Sequence, residues 1–170
     1  MLKYMITDPQ YDLNAIKKAV IKHRPNFVCY RNKLYYNEEE IKEFARFAKR
    51  YAKIAINIDS VKNDEIYELF DAIHLSSSHL DKIDFFKNKT VIASTHNINE
   101  VIYAKNADFI TFSPIFDSKG RKGLGIEIIE EIYSFHKKII ALGGIISQRE
   151  IEKIKKTKAV GFASIRYFFT

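Results

Sequence analysis

Short β-rich runs recur along the whole chain, and a helix-like segment separates each run from the next. Eight such runs can be identified: Lys3–Asp8, Phe27–Tyr30, Ala52–Ile58, Ala72–Leu75, Val91–Ser94, Phe109–Phe112, Ile139–Leu142 and Val160–Ile165. Parallel strands need long crossover connections, and helices supply them. Eight β-then-α units predict an α/β fold, a compact (β/α)8 TIM barrel, with functional residues at the carboxyl ends of the strands.

The length of the chain limits what surrounds this barrel. At 170 residues it is far below the roughly 250 residues typical of the architecture, so the loops must be short. We expect a single domain, 1–170. Only residues 166–170 follow the eighth run, which predicts a truncated last helix. Phe168 and Phe169 would then cover the barrel bottom or contact a second subunit, so a homo-oligomer is one expected state.

Helix signals support this organisation. Segment 37–51 carries three glutamates in its first turn and places four apolar residues on one stripe: Ile41, Phe44, Ala45 and Ala48. Asn97 and Ser147 each precede a glutamate by three residues, the spacing of a capping box. We therefore predict helices over 37–51 and 97–107, and another beginning at Ser147.

Composition narrows the class of protein. The net charge of +7 comes mostly from lysines on helix-like segments, often near glutamates, and no nucleic-acid-binding motif accompanies it, so we expect no nucleic-acid partner. No signal peptide or membrane-length apolar run is recognisable, which predicts a cytoplasmic protein without a membrane partner. The single cysteine, Cys29, lies in an apolar run and is interpreted as a small buried hydrophobe.

Polar residues follow the second and third runs. Arg31 and Lys33 stand two apart, so in extended geometry both point the same way, and two cations on one face suit a diphosphate. Ordinary surface cations are the alternative. Asn57 and Asp59 share that spacing and could hold Mg²⁺ through oxygen atoms, although an aspartate capping the following helix explains Asp59 equally well.

Later strand ends carry further candidates. Ser94 ends the fifth run and His96 follows it, where they could contact a phosphate or shuttle a proton; a purely structural role is the alternative. Lys119, Arg121 and Lys122 lie in the glycine-rich loop 113–125, the connection best suited to anion binding.

Glycines follow the seventh run, and a basic residue follows the eighth. Gly143 and Gly144 allow close approach of a ligand to the backbone. Loops after strands seven and eight frequently bind phosphate in such barrels, so we expect Gly143, Gly144 and Arg166 to lie near a phosphate. A tight turn is the alternative reading of the two glycines.

An ordered set of motifs carries a family resemblance. It comprises Tyr4–Asp8, Tyr30–Lys33, Ile56–Asp59, Ala72–Leu75, Ser94–His96, Ala107–Phe109, Ser113–Phe116, Ala141–Ile145 and Gly161–Ala163. Together they make nearly the whole chain resemble the thiamine-phosphate synthase family and its thiazole-tautomerase relatives. The resemblance implies a transferase that couples hydroxymethylpyrimidine diphosphate with thiazole phosphate and releases pyrophosphate, with Mg²⁺ as cofactor and phosphorylated small molecules as substrates.

The resemblance also implies roles for individual residues. Arg31, Lys33 and Asn57 match the diphosphate site, and Ser94 matches a position beside the reacting centre. Lys119 or Arg121 matches a synthase lysine. Gly143, with the backbone near Ile165, matches the thiazole-phosphate site. The chain departs from the family pattern at its expected magnesium ligands. Ser76–His79 replaces their acids after the fourth strand, and Asp59 lies one position late.

Two alternative functions follow from these departures. One is a non-catalytic protein that binds thiamine or thiazole phosphate. The other is a thiazole tautomerase, although that branch typically has a histidine where this chain has Pro114.

Overall fold

The computed structural model describes residues 1–170 and shows eight strands closed into a barrel. The strands are β1 (Leu2–Ile6), β2 (Phe27–Tyr30), β3 (Lys53–Asn57), β4 (Ala72–Leu75), β5 (Thr90–Thr95), β6 (Phe109–Phe112), β7 (Ile139–Leu142) and β8 (Gly161–Ser164). Each pairs in parallel with the next, and β8 closes on β1 with Lys3 opposite Phe162. The predicted (β/α)8 barrel is confirmed.

Two kinds of helix form the outer ring. The α-helices are α1 (Leu13–His23), α2 (Glu38–Ala48), α3 (Ile98–Tyr103), α4 (Ile128–Ile132) and α5 (Gln148–Ile154). The connections from β3 to β5 use 3-10 helices instead, at Ile58–Ser60, Asp64–Leu69 and Ser77–Phe86. None of the helices combines the length and apolar character that crossing a bilayer requires.

Side-chain caps fix where several helices begin. The Asn37 side chain accepts from the Glu40 amide at the start of α2, and the predicted apolar stripe of that helix is buried. Ser147 and Glu150 form a complete capping box at α5, as predicted. α2 and α3 end earlier than expected, at Ala48 and Tyr103. The caps hold the amino ends of these helices next to the carboxyl ends of the preceding strands.

Apolar side chains pack in two layers. A smaller cluster fills the barrel interior and includes Tyr4, Phe27 and Cys29. A larger cluster lies between the strands and the outer helices. Cys29 is fully buried, as expected, and burial raises the pKa of its thiol to about 12. The thiol is therefore protonated at neutral pH and inert as a nucleophile.

A short 3-10 helix, Arg166–Phe169, replaces the last α-helix and confirms the predicted truncation. Phe168 is 1% exposed and packs against Phe162 of β8 and His23 of α1. Phe169 stacks on Tyr11 at a centroid distance of 3.7 Å. The two phenylalanines therefore cover the outer wall between β8 and α1, and the expectation that they cover the barrel bottom is wrong.

Candidate active site at the carboxyl ends of the strands

A cleft of about 650 Å³ opens at the carboxyl ends of the strands. It is lined by twelve of the thirteen site candidates: Arg31, Lys33, Asn57, Asp59, Ser94, His96, Lys119, Arg121, Gly143, Gly144, Ile165 and Arg166. Lys122, the third cation of the β6 loop, is not among the lining residues. The fold thus brings together residues from six strand ends, as a barrel must. Their chemical roles stay predictions.

Arg31 and Lys33 both face this cleft, but a turn places them there and not extended geometry. β2 ends at Tyr30, and the buried Asn32 side chain accepts from the amides of Leu34 and Tyr35. This is the local geometry of an Asx turn, in which the side chain substitutes for a backbone acceptor. The turn buries Asn32 and leaves the cations on either side of it in the cleft.

Each of these cations pairs with a carboxylate. Arg31 Nη1 lies 3.4 Å from Asp8 Oδ2, and Lys33 Nζ lies 2.5 Å from Asp59 Oδ2. Partial burial acts to raise the pKa of Asp59, but the hydrogen bond and charge of Lys33 lower it below its usual range. Asp59 is therefore an ionised acceptor at neutral pH.

Asp59 has further partners from the β4 loop. Ser76 donates to Asp59 Oδ1 at 3.2 Å, and His79 Nδ1 lies 3.5 Å from the same oxygen. The helix cap at this point is Asn57, whose side chain accepts from the Asp59 amide at 3.0 Å. The alternative in which Asp59 caps the following helix is therefore wrong.

The donors around Asp59 do not fit a magnesium site. Mg²⁺ is held by oxygen ligands, commonly carboxylates. Asp59 has one oxygen on Lys33 and the other on Ser76 and His79, and no group of three His, Cys, Asp or Glu side chains that could hold a metal ion exists in the chain. The only other carboxylate of the cleft, Asp8, pairs with Arg31.

A hydrogen-bonded chain runs from the barrel interior to Ser94. Tyr4 Oη lies 2.7 Å from His74 Nδ1, and His74 Nε2 lies 2.7 Å from Ser94 Oγ. Burial, followed by the charges of Arg31 and Lys33, lowers the pKa of His74 to about 3. His74 is therefore neutral at neutral pH and can hold Ser94 by donating to it or accepting from it.

Sequence reasoning did not select Tyr4, His74, Asp8 or His79 for the site. The sequence did contain a signal for His74. Side chains alternate along a strand, so if Ile73 and Leu75 of β4 face the outer helices, His74 must face the barrel interior. His79, which was considered only as part of the segment that replaces the family's acids, joins the Asp59 cluster. No sequence pattern reveals that contact, since it depends on how the β3 and β4 loops meet.

His96 is anchored at the rim of the cleft. Its Nδ1 lies 3.0 Å from the Ser113 carbonyl oxygen and 3.1 Å from Ser113 Oγ, and its amide donates to Glu100 Oε2. Ser113 precedes Pro114, which also lines the cleft. The imidazole of His96 therefore faces the start of the β6 loop.

The β6 loop is folded back on itself. The Asp117 side chain accepts from the Gly123 amide at 2.7 Å, and Ser118 and Arg121 exchange two backbone hydrogen bonds. Lys119 adopts a positive φ of 51° at the tip of this turn. The loop therefore presents Lys119 and Arg121 at the cleft in a defined conformation.

Gly143 and Gly144 form the floor beneath this loop. Their φ values are 96° and 70°, and a Cβ at Gly144 would lie 2.6 Å from the Asp117 carbonyl oxygen. Ser164 of β8 donates to the Ile145 carbonyl oxygen at 2.7 Å and so joins this turn to the last strand end. The absent side chains let the β6 loop pack against these glycines, whose partly buried backbone lines the cleft where such barrels bind phosphate.

Comparison with known proteins agrees with this description. A family model described as thiamine monophosphate synthase matches residues 3–168. The structure is similar to thiamine phosphate pyrophosphorylase from Pyrococcus furiosus, with a TM-score of 0.77 and 18% identity over 96% of this chain and 85% of that one. No protein with a curated description shows significant sequence similarity.

Other solved barrels are similar to a lesser degree. N-acetylmannosamine-6-phosphate 2-epimerase from Clostridium perfringens has a TM-score of 0.71 and 14% identity over 98% of this chain and 87% of its own. Phosphoribosylanthranilate isomerase from Thermotoga maritima has a TM-score of 0.67 and 12% identity over 98% of this chain and 88% of its own. At such identities these likenesses establish the fold alone.

Proposed function

Because the chain belongs to the thiamine monophosphate synthase family, whose model spans residues 3–168, we propose that it is a thiamine-phosphate synthase. It would couple hydroxymethylpyrimidine diphosphate with thiazole phosphate and release pyrophosphate. The observation that carries this proposal is the gathering of twelve of the thirteen candidate residues, chosen from sequence, around one cationic cleft.

The proposed reaction places the two substrates at different strand ends of that cleft, one after β2 and the other after β7 and β8. Arg31 and Lys33 bind the diphosphate, while the backbone of Gly143, Gly144 and Ile165, with Arg166, binds the thiazole phosphate. The bond between the pyrimidine methylene carbon and the diphosphate oxygen breaks, and its electron pair leaves with pyrophosphate. The thiazole nitrogen then donates its lone pair to the resulting carbocation.

Charge development explains what the cations contribute. Negative charge grows on the departing diphosphate, and preorganised cations stabilise that charge more in the transition state than in the ground state. Lys119 and Arg121 approach from the β6 loop on another side of the cleft. Ser94, held by His74, would position the pyrimidine beside the breaking bond. The resemblance implies Mg²⁺, but the donors at Asp59 do not fit it, and no step here depends on it.

The proposal is tested by turnover of both substrates to thiamine phosphate. Removing the guanidinium with Arg31→Ala should lower kcat/KM by roughly tenfold to a hundredfold, the value of a charge-assisted hydrogen bond. Arg46→Ala is the matched control, since Arg46 is exposed on α2 and lies outside the cleft. If the parent protein makes no more thiamine phosphate than the Arg31→Ala variant does, the synthase assignment is rejected.

A non-catalytic binding protein is the second candidate. It is favoured by the ion pairs of Asp8 and Asp59, which leave no free carboxylate in the cleft. Calorimetry with thiamine phosphate would then show affinity without turnover. The tautomerase alternative gains no support, because Pro114 offers no titratable group where that branch has its histidine.

A further inference from the structure

The charged residues of the cleft are mostly cations. Five cations line it: Arg31, Lys33, Lys119, Arg121 and Arg166. Asp8 and Asp59 are the only carboxylates among the lining residues, which leaves a formal charge of +3. Such a surface repels a divalent cation and attracts a polyanion. An uncomplexed diphosphate, which carries more negative charge than its magnesium complex, is therefore the better electrostatic match.

Lys33 is the cation that neutralises Asp59 in this structure. Its ammonium lies 2.5 Å from Asp59 Oδ2, within direct ion-pair distance. The Lys33 side chain is 44% exposed on a flexible stem, so it can turn from the carboxylate toward a ligand in the cleft. Ser76 and His79 contact Asp59 through its other oxygen, so the carboxylate keeps partners when Lys33 moves.

From this geometry we propose that Lys33 takes over the role of the divalent cation, so that the cleft binds diphosphate without metal. The inference rests on the proposed function for the identity of the ligand, and it deepens that function by naming the ionic form of the diphosphate. Asp59 then serves to orient the Lys33 ammonium and does not act as a metal ligand.

Isothermal titration calorimetry with inorganic pyrophosphate tests this directly. One arm contains excess EDTA, and the other contains MgCl₂ at matched ionic strength, because salt alone weakens such binding. We expect the affinity with EDTA to equal or exceed that with Mg²⁺. Binding that is tighter by about tenfold or more with Mg²⁺, or no binding in either arm, overturns the proposal.

Two lysines provide a matched pair of variants. Lys42 on α2 is 42% exposed and pairs with Glu38 at 2.7 Å, much as Lys33 pairs with Asp59, but it lies outside the cleft. Lys33→Met should weaken metal-free pyrophosphate binding by about tenfold or more, whereas Lys42→Met should leave it unchanged. Equal effects of the two substitutions would show that Lys33 has no special role.

Asp59→Asn separates the two roles of the carboxylate. If Asp59 is a metal ligand, this variant loses any advantage that Mg²⁺ confers on the parent protein. A Mg²⁺ advantage that is present in the parent and lost in the variant therefore overturns the proposal. If Asp59 only orients Lys33, Mg²⁺ tightens pyrophosphate binding in neither the parent nor the variant. Thermal unfolding of each variant confirms that it folds.

The binding experiment and the turnover assay fail independently. Thiamine phosphate formed only when Mg²⁺ is present would retain the synthase function and reject metal-free binding. Pyrophosphate bound in EDTA without any turnover would retain the role of Lys33 and reject the synthase.

Discussion

Substituting Gly144 by alanine tests how tightly the glycine floor of the cleft is packed. A Cβ at this position would lie 2.6 Å from the Asp117 carbonyl oxygen and from Phe116 Cβ. Contacts this short force a shift of the surrounding backbone. Gly120 offers a matched control, because its φ of 74° resembles the 70° of Gly144 while a Cβ there meets nothing within 4 Å.

The comparison separates two contributions to the free energy of unfolding. Both alanines adopt a left-handed conformation, which costs about 1–2 kcal/mol per residue. Only Ala at position 144 also overpacks its surroundings, which adds roughly 1–3 kcal/mol. Gly144→Ala should therefore destabilise the protein by about 2–5 kcal/mol, and Gly120→Ala by about 1–2 kcal/mol.

Urea denaturation of the two variants and the parent protein measures this difference. Thermal unfolding provides a second measure, since a domain of this size shifts its Tm by roughly 2–4 °C for each kcal/mol. If both variants lose the same free energy within about 0.5 kcal/mol, the close approach of the β6 loop to Gly144 does not limit the space there.

Three further outcomes follow from the core. The free energy of unfolding of the parent protein should fall as pH drops from about 6.5 toward about 3, by up to ~1.4 kcal/mol per pH unit, because His74 is protonated in the unfolded state but stays neutral when buried. Urea unfolding should show a flatter pH profile for His74→Asn, and an unchanged slope would contradict the assignment. Phe168→Ala should lower the free energy of unfolding by about 3–5 kcal/mol, whereas Phe135→Ala, at a partly exposed position, should lower it by less than about 1 kcal/mol. Equal losses in urea denaturation would show that Phe168 and the terminal 3-10 helix do not stabilise the outer wall. Tyr4→Phe removes the hydroxyl that pairs with His74 and should lower the free energy of unfolding by about 1 kcal/mol. It should also lower turnover, because His74 holds Ser94, and unchanged kinetics would show that these hydrogen bonds play no part in the reaction.

The sequence predicted the strands well because barrel strands leave a strong local signal. Each observed strand lies within two residues of its predicted run at either end. The candidate site followed from the same reasoning, since parallel strands in a closed barrel bring all their carboxyl ends to one rim. Gly143 in the cleft is one consequence of that geometry.

Contacts between loops were beyond the reach of sequence reasoning. The pairing of Lys33 with Asp59 depends on an Asx turn at Asn32, and an isolated sequence does not distinguish that turn from an extended strand end. Capping by Asp59 was left open as an alternative, whereas the observed cap is Asn57, because either side chain can accept from a helix amide. Asn57 and Asp59 are two residues apart, and tertiary packing decides which of them caps the helix.

The 3-10 connections show how little chain an eight-stranded barrel requires. A 3-10 helix rises about 2.0 Å per residue, compared with 1.5 Å for an α-helix, so it returns the chain from rim to base with fewer residues. In the two connections between β3 and β5, residues 58–71 and 76–89, 3-10 helices take the place of α-helices. A barrel of 170 residues with such short connections is a compact scaffold for the design of phosphate-binding sites, to which length need be added only in the loops at the carboxyl ends of the strands.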